Sequence, residues 1–369
     1  MDPFNTKRHF AAYTDIGLGV SSDGGITWEL RRDLCVNTYA IVFDPVVKGR
    51  MWAGFGQVHD IPNNNIILSD HNSEGHGTVG YSEDGGETWL DLTTKEQVNE
   101  SNFYNPAYGE GWKERGGLPP ATVVSVAMDP RSRPESRVIY ASLWQKGVYR
   151  SADGGQTWES RSNGLGVSQF PVRPLRILPH ADGTLFCLTT TRMVGSSLIR
   201  EGVGLYRSDD NGLTWKDLTK ELDVRWTTDF AVDPRDSKVI YLSVADHLIN
   251  TTQGWRAGDY IPVGGLYKTT DGGRTWKRII RKCSRHFAAT LHPEKPDWVY
   301  MTIHATVPED RKSPPEASLW LSRDGGDNWE PFRDYPFGNP CRVHFHPEDP
   351  SIMFVTNYGG SVYRGPIEP

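Results

Sequence analysis

The part of this 369-residue chain equipped for acid–base chemistry is a small set of carboxylates and imidazoles in short polar segments between apolar runs. Asp15 stands in Tyr13-Thr14-Asp15-Ile16-Gly17, His59 and Asp60 in Val58-His59-Asp60-Ile61, and Asp246 in Ala245-Asp246-His247. Carboxylates at one structural level, with an imidazole nearby, can take a proton on one side of a bond and deliver one on the other. Turn formation is the competing use for each of them. A second set is cationic: Arg173, Arg176 and Arg342 could hold a carboxylate or sulfate by charge-assisted forks, or pair with Asp229. Arg285 and His286 lie at neighbouring positions. His247 and the aromatics Tyr104, Tyr108, Trp112, Trp144 and Trp255 are the side chains to hold or stack on a sugar ring. Residues 57–77 add Asp70, His71 and His76, but their spacing matches no established zinc pattern, so no metal and no cofactor is expected.

These residues need elements to hold them, and an internal repeat supplies them. The pattern Ser/Thr-x-Asp-x-Gly-x-Thr-Trp begins at Ser21, Ser82, Ser151, Ser208, Thr269 and Ser322, the last copy with Asn328 in place of Thr. Asp-Gly-Gly predicts a tight hairpin turn, with glycine at positive φ and the carboxylate accepting turn N–H groups. The Trp opens the next strand. Each box sits in a larger unit of four strands, a to d. In residues 122–160 these are Thr122–Pro130, then Arg137–Trp144, then Lys146–Ser151, and after the box Thr157–Ser160. The a strands end at Asp44, Asp129, His180, Asp233, His292 and His346. Four residues before those ends stand Ala40, Ser125, Arg176, Asp229, Ala288 and Arg342, which alternation turns to one side.

The count gives seven b and seven c strands but six a and six d strands. The expected fold is all-β: a single seven-bladed propeller over 1–369, with four-stranded antiparallel blades and box hairpins between c and d. A six-bladed ring is the alternative. The missing d and a would be consecutive, and Met1-Asp2-Pro3 matches the tail of an a strand, so an upstream closing strand pair is expected. Long insertions at 57–77, 93–121, 246–264 and 304–317 fall on d–a or b–c connections, whereas the c–d turns are minimal. Variation is thus loaded onto one face, where loops on a rigid scaffold make a cleft.

The six boxes resemble the Asp-box, or BNR, repeat of sialidases, xyloglucanases and related propellers. In those families the boxes lie opposite the active site, which implies structural box aspartates here. Tyr13 to Trp28 is similar to the first blade of xyloglucan-active glycoside hydrolases of family 74, where a Thr-Asp-(Val/Ile)-Gly-Gly segment carries a catalytic carboxylate. Asp15 matches it, with Leu18 in place of the second Gly. Those enzymes place the partner carboxylate on a second propeller; here Asp60 or Asp246 would serve, or His59. The resemblance implies a glycoside hydrolase acting on a poly- or oligosaccharide. The alternatives are a non-catalytic glycan- or protein-binding propeller, a sialidase-type exo-glycosidase, or a lyase acting on an anionic sugar. The Phe-Arg-Ile-Pro motif of sialidases is absent, with Arg176-Ile177-Leu178-Pro179 only a distant echo.

Composition agrees. The net charge of −6 excludes a nucleic-acid partner of the usual basic kind, and no apolar run is long enough for a membrane span. Thirteen Trp, 38 Gly and 25 Pro suit many short strands and tight turns. Four cysteines, Cys35, Cys187, Cys283 and Cys341, read as small buried hydrophobes rather than a disulfide scaffold. A secreted or periplasmic location is expected from the resemblance, with no signal peptide at Met1.

Overall fold

The computed structural model describes residues 1–14, 16–31, 37–58, 61, 77–93, 116–194, 197–245, 250–251, 254–255, 263–280, 286–303, 318–358 and 362–368. These residues carry strands and no helix. Two compact units are present: Met1–Met193 with Tyr206–Asp217, and Val194–Leu205 with Leu218–Pro369.

The first unit opens with a seven-stranded sheet. It divides at a single parallel bridge, Gly17 to Asn37, into two antiparallel sets. One is His9–Tyr13, Gly17–Ser21 and Glu29–Arg31; the other is Asn37–Phe43, Met51–Gly56, Gly77–Ser82 and Leu90–Asp91. Two four-stranded sheets follow: Val123–Met128, Ile139–Leu143, Gly147–Ser151 and Glu159–Ser160, then Pro174–Pro179, Leu185–Thr189, Gly204–Ser208 and Lys216–Asp217. The second unit holds Thr227–Asp233, Asp236–Val244, Gly265–Thr269 and Lys277–Ile280, then His286–Leu291, Val299–Ile303, Leu319–Ser322 and Glu330–Pro331. It ends with a three-stranded sheet, Pro340–Phe345, Ile352–Asn357 and Val362–Pro366. Among the described residues these are the six a, seven b, seven c and six d strands of the sequence pattern. Two extra hairpins, Met193–Val194 with Ser197–Leu198 and Asn250–Thr251 with Gly254–Trp255, both fall in b–c connections.

The boxes are hydrogen-bonded knots. In the box at Ser82, the Ser82 hydroxyl donates to Asp84 Oδ1 at 2.8 Å and accepts the Gly86 N–H at 2.8 Å. Asp84 Oδ1 accepts the N–H groups of Glu87 and Thr88, and Thr88 Oγ1 donates to Oδ2 at 2.5 Å. Threonine hydroxyls and turn amides hold the exposed Asp23 and Asp210 carboxyls at about 2. Two residue exchanges among the boxes keep the chemistry of the position. Asn328 Nδ2 donates to Asp324 Oδ2 at 2.7 Å, as the threonines do elsewhere. Asn211 takes φ +59, a conformation asparagine tolerates where other boxes use glycine.

One feature of the b strands is plain only in the folded register. Their second core position is aromatic in every set: Phe10, Trp52, Tyr140, Phe186, Tyr241, Tyr300 and Phe354. Three of the rings with a polar tip reach a main-chain oxygen of the next set. Trp52 Nε1 donates to Gly154 O at 2.9 Å, Tyr241 Oη to Gly325 O at 2.9 Å and Tyr300 Oη to Ile367 O at 2.7 Å. Burial of such rings contributes on the order of 2–3 kcal/mol each. In the second set, glycine lets the next a strand approach: a Cβ on Gly54 would stand 2.5 Å from Val123 O, and one on Gly77 2.4 Å from Ala121 O.

The Asp/His residues ending the a strands share one task. Asp44 Oδ1 accepts the Val46 and Val47 N–H groups, and Asp129 and Asp233 accept those of Arg131 and Arg235. His292 Nδ1 does the same for Glu294 at 3.2 Å and Lys295 at 3.1 Å, while its Nε2 faces Pro350 O at 3.0 Å. This requires a neutral ring with the proton on Nε2. Burial depresses the His292 pKa below the ordinary value of 6.5; Pro350 O and Glu294 raise it and Lys295 lowers it further. The unfolded chain therefore binds the proton more tightly, and the stability His292 contributes is full above about pH 6.5 and lost as pH falls toward the depressed value. His292→Asn keeps the acceptor and cannot titrate. Its Tm is expected to fall less than that of the native protein between pH 7 and 5, as followed by circular dichroism.

Candidate functional site

Every a–b pairing slips by one residue at the same place. The register skips Tyr39, Val124, Leu175, Thr228, Phe287 and Cys341, so each a strand carries a bulge near its start. The next residues are Ala40, Ser125, Arg176, Asp229, Ala288 and Arg342, the same six positions that alternation singled out. A bulge bends its strand and re-aims the side chain that follows. The sequence signal is one residue too many for strict alternation in Thr122–Met128 and its counterparts.

In the second unit this brings two charges together. Arg342 donates from Nε at 3.0 Å and from Nη2 at 2.7 Å, both to Asp229 Oδ2. The pair joins two a strands, with Ala288 at the equivalent position of the set between them in sequence. Asp229 is buried (side chain 1% exposed), whereas Arg342 is open to solvent (36%). In the first unit the corresponding contact is polar and neutral: Ser125 Oγ accepts the Ile177 N–H at 3.3 Å.

The strand mouths carry the remaining described candidates. Arg173 is buried, donates from Nη1 to Thr191 O at 3.1 Å and stands over the Trp144 ring with Cζ 5.1 Å from its centroid. Trp144 is 3% exposed, so it is a buried member of this stack and not the open sugar platform expected of it. Arg192 donates from Nη2 to Pro171 O at 2.6 Å and covers Phe170. Tyr39, a bulge residue that sequence reasoning passed over, donates to Val58 O at 2.5 Å and accepts the Ile61 N–H at 3.4 Å. It thereby ties both neighbours of His59 and Asp60 to an inner strand.

Asp15, His59, Asp60, Asp246, His247, Trp112, Tyr104, Tyr108, Asp70, His71, His76, Arg285, Cys35 and Cys283 lie outside the described residues, as do the side chains of His286 and Trp255. By position in the chain, Asp15 joins His9–Tyr13 to Gly17–Ser21 and Asp246 follows Ala245 directly, both in b–c connections. Among the described residues no group of three His, Cys, Asp or Glu could hold a metal. Cys187 and Cys341 are free thiols. Burial raises both, Cys341 to about 12, so they sit in the structure as unreactive small hydrophobes. No helix is long and apolar enough to cross a membrane.

Known proteins match this chain in part. The family model described as Sortilin-Vps10 (sortilin, neurotensin receptor 3) matches residues 203–361. Xyloglucanase Xgh74A of Acetivibrio thermocellus is 25% identical over 235 residues, covering 59% of this chain and 24% of the relative. A xyloglucanase of Paenibacillus is 27% identical over 281 residues, 72% of this chain and 24% of the relative. The chain thus spans about a quarter of the length of these curated relatives. In structure it is similar to YCF48 bound to a D1 peptide, with a TM-score of 0.57, 13% identity, and coverage of 98% of this chain and 91% of that one. That likeness is one of fold. The resemblance to Asp-box propellers and to family 74 xyloglucanases is borne out.

Proposed function

We propose that the protein is a carbohydrate-active, seven-bladed propeller that binds a poly- or oligosaccharide across the face formed by its d–a and b–c connections. The observation that supports this reading is the bulge shared by the six a strands, each followed by one of the residues that alternation singled out. The xyloglucanase relatives supply the substrate class. Seven aromatic b positions support seven blades. In the mechanism, Asp15 acts as base or nucleophile, and Asp60, Asp246 or His59 protonates the leaving glycosidic oxygen. Arg176, Asp229, Arg342, His247 and Trp112 are the side chains assigned to substrate binding, and an extracellular site of action fits a polysaccharide. A glycan-array screen followed by mass spectrometry of the products tests it: shortened oligosaccharides are expected, and intact glycans with every substrate would overturn it.

A second reading has its own support. The chain covers nearly all of the YCF48 fold but only a quarter of the xyloglucanases' length. A peptide-binding propeller fits that proportion, and binding of an extended peptide with no glycan turnover would favour it.

A further inference from the structure

The b–c connection of the second set leaves strand Met51–Gly56 through Val58 and Ile61, both buried. The Val58 N–H donates to Thr122 Oγ1 at 3.2 Å, at the foot of the next a strand. The Tyr39 hydroxyl donates to Val58 O at 2.5 Å and accepts the Ile61 N–H at 3.4 Å. Val58 and Ile61 are the first and last of four consecutive residues. In a closed β-turn the first carbonyl bonds the last N–H directly. Here one phenol oxygen stands between the two groups and bonds both. The residues between these anchors are His59 and Asp60.

Tyr39 reaches this place because of the bulge. It is the extra residue between Thr38 and Ala40, so its side chain leaves the alternation of the ladder. Of its counterparts, Val124, Leu175, Phe287 and Cys341 carry no side-chain oxygen or nitrogen. Thr228 carries a hydroxyl, which donates to Ser243 O at 3.2 Å, inside its own a–b pair. The other carboxylates are approached differently. Tyr13 and Gly17, on either side of Asp15, are strand partners. Ahead of Asp246, the Ala245 N–H donates to Trp226 O at 2.8 Å, a described anchor on one side. A group that hands a proton to a reacting atom must be held to a fraction of an ångström, and anchors on both sides of a short segment supply that.

We propose that Tyr39 is the positioning residue of the general acid, which assigns that acid to the Val58–Ile61 segment, as Asp60 or His59, rather than to Asp246. The assignment rests on the hydrolase reading given above. In the step concerned, the bond from the anomeric carbon to the leaving oxygen breaks. Asp15, or the water it deprotonates, forms the new bond to that carbon, and the proton of the acid passes to the leaving oxygen. Tyr39 takes no part in the transfer and acts only through the backbone on either side of the acid.

Rates of the full chain on a xyloglucan oligosaccharide and on an aryl glycoside of the same sugar provide the test. The aryl group leaves without a proton, so only the oligosaccharide reports on the acid. Tyr39→Phe keeps the ring and removes the oxygen. Its kcat on the oligosaccharide is expected to fall about 10–100-fold, the scale of a small misplacement of a reacting group, with KM and the aryl glycoside rate unchanged. A merely structural role would lower both rates together. Thr228→Val is the control: it removes the hydroxyl at the same bulge position in the set that leads into Asp246, and both rates are expected to persist. Equal loss on the two substrates in Tyr39→Phe, or no loss on either, overturns the assignment while the hydrolase reading stands. Selective loss in Thr228→Val alone overturns it in favour of Asp246. A native chain that cleaves neither substrate overturns the hydrolase reading and the assignment with it.

Discussion

Arg137→Ala is expected to destabilise the protein by about 3–5 kcal/mol, the usual result of stranding one buried ion. Arg137 donates from Nε at 2.8 Å and Nη2 at 2.6 Å to the two oxygens of Asp44, and from Nη1 to Ser132 O. Both partners are buried. Burial raises the Asp44 pKa, but the Arg137 bonds and the Val46 and Val47 N–H groups outweigh it, and the net shift is downward. Removing Arg137 takes the two-point guanidinium contact from a buried carboxylate and leaves it Arg50 Nη1 at 3.7 Å and the two corner amides. In a thermal melt the loss is a fall in Tm on the order of 5–10 °C. Pairing Arg137→Met with Asp44→Asn removes both charges while keeping the acceptor for the corner amides. That double variant is expected to recover most of the loss, because replacing a buried pair costs much less than breaking one. A double variant as unstable as Arg137→Ala would mean that packing, not charge, sets the cost.

Asp15→Asn is expected to lower glycan turnover by roughly 10²–10⁴-fold, the range associated with a positioned acid or base, with Tm unchanged. Asparagine matches the carboxylate in shape and can neither take the proton nor attack. The partner is separable from Asp15 by the leaving group. An aryl glycoside departs without a proton, so loss of the general acid is masked on that substrate and loss of the base is not. Among Asp60→Asn, Asp246→Asn and His59→Gln, the variant inactive on natural glycan but active on the aryl glycoside marks the acid. Full activity of Asp15→Asn on both substrates would remove it from the mechanism.

The strand order was legible because each element carries its own punctuation. Box, corner Asp or His, and alternating run recur at fixed spacing, and local rules of turn and strand act on adjacent residues. The same six inner positions were found from alternation alone. What stayed hidden depends on register between strands. The bulge is one extra residue in an otherwise regular run, and only pairing shows that it recurs at Tyr39, Val124, Leu175, Thr228, Phe287 and Cys341. The pairing of Arg342 with Asp229 spans 113 residues, and no spacing rule selects one cation–anion pair over another at that distance. Trp144 was named among the aromatics that could stack on a sugar ring, and its burial is a matter of packing between sets. Burial came from Arg173, a residue of the next set.

The contacts of Trp52, Tyr241 and Tyr300 bear on how such a chain could arise. Each aromatic tip finds a main-chain oxygen in the following corner, at Gly154, Gly325 and Ile367. A main-chain acceptor is present whatever side chain stands there, even where the corner is no box at all, as at Ile367. Neighbours joined in this way need no matched pair of side chains. A copied or exchanged repeat would meet its new neighbour through a contact already in place, leaving selection free to diversify the loops on the other side.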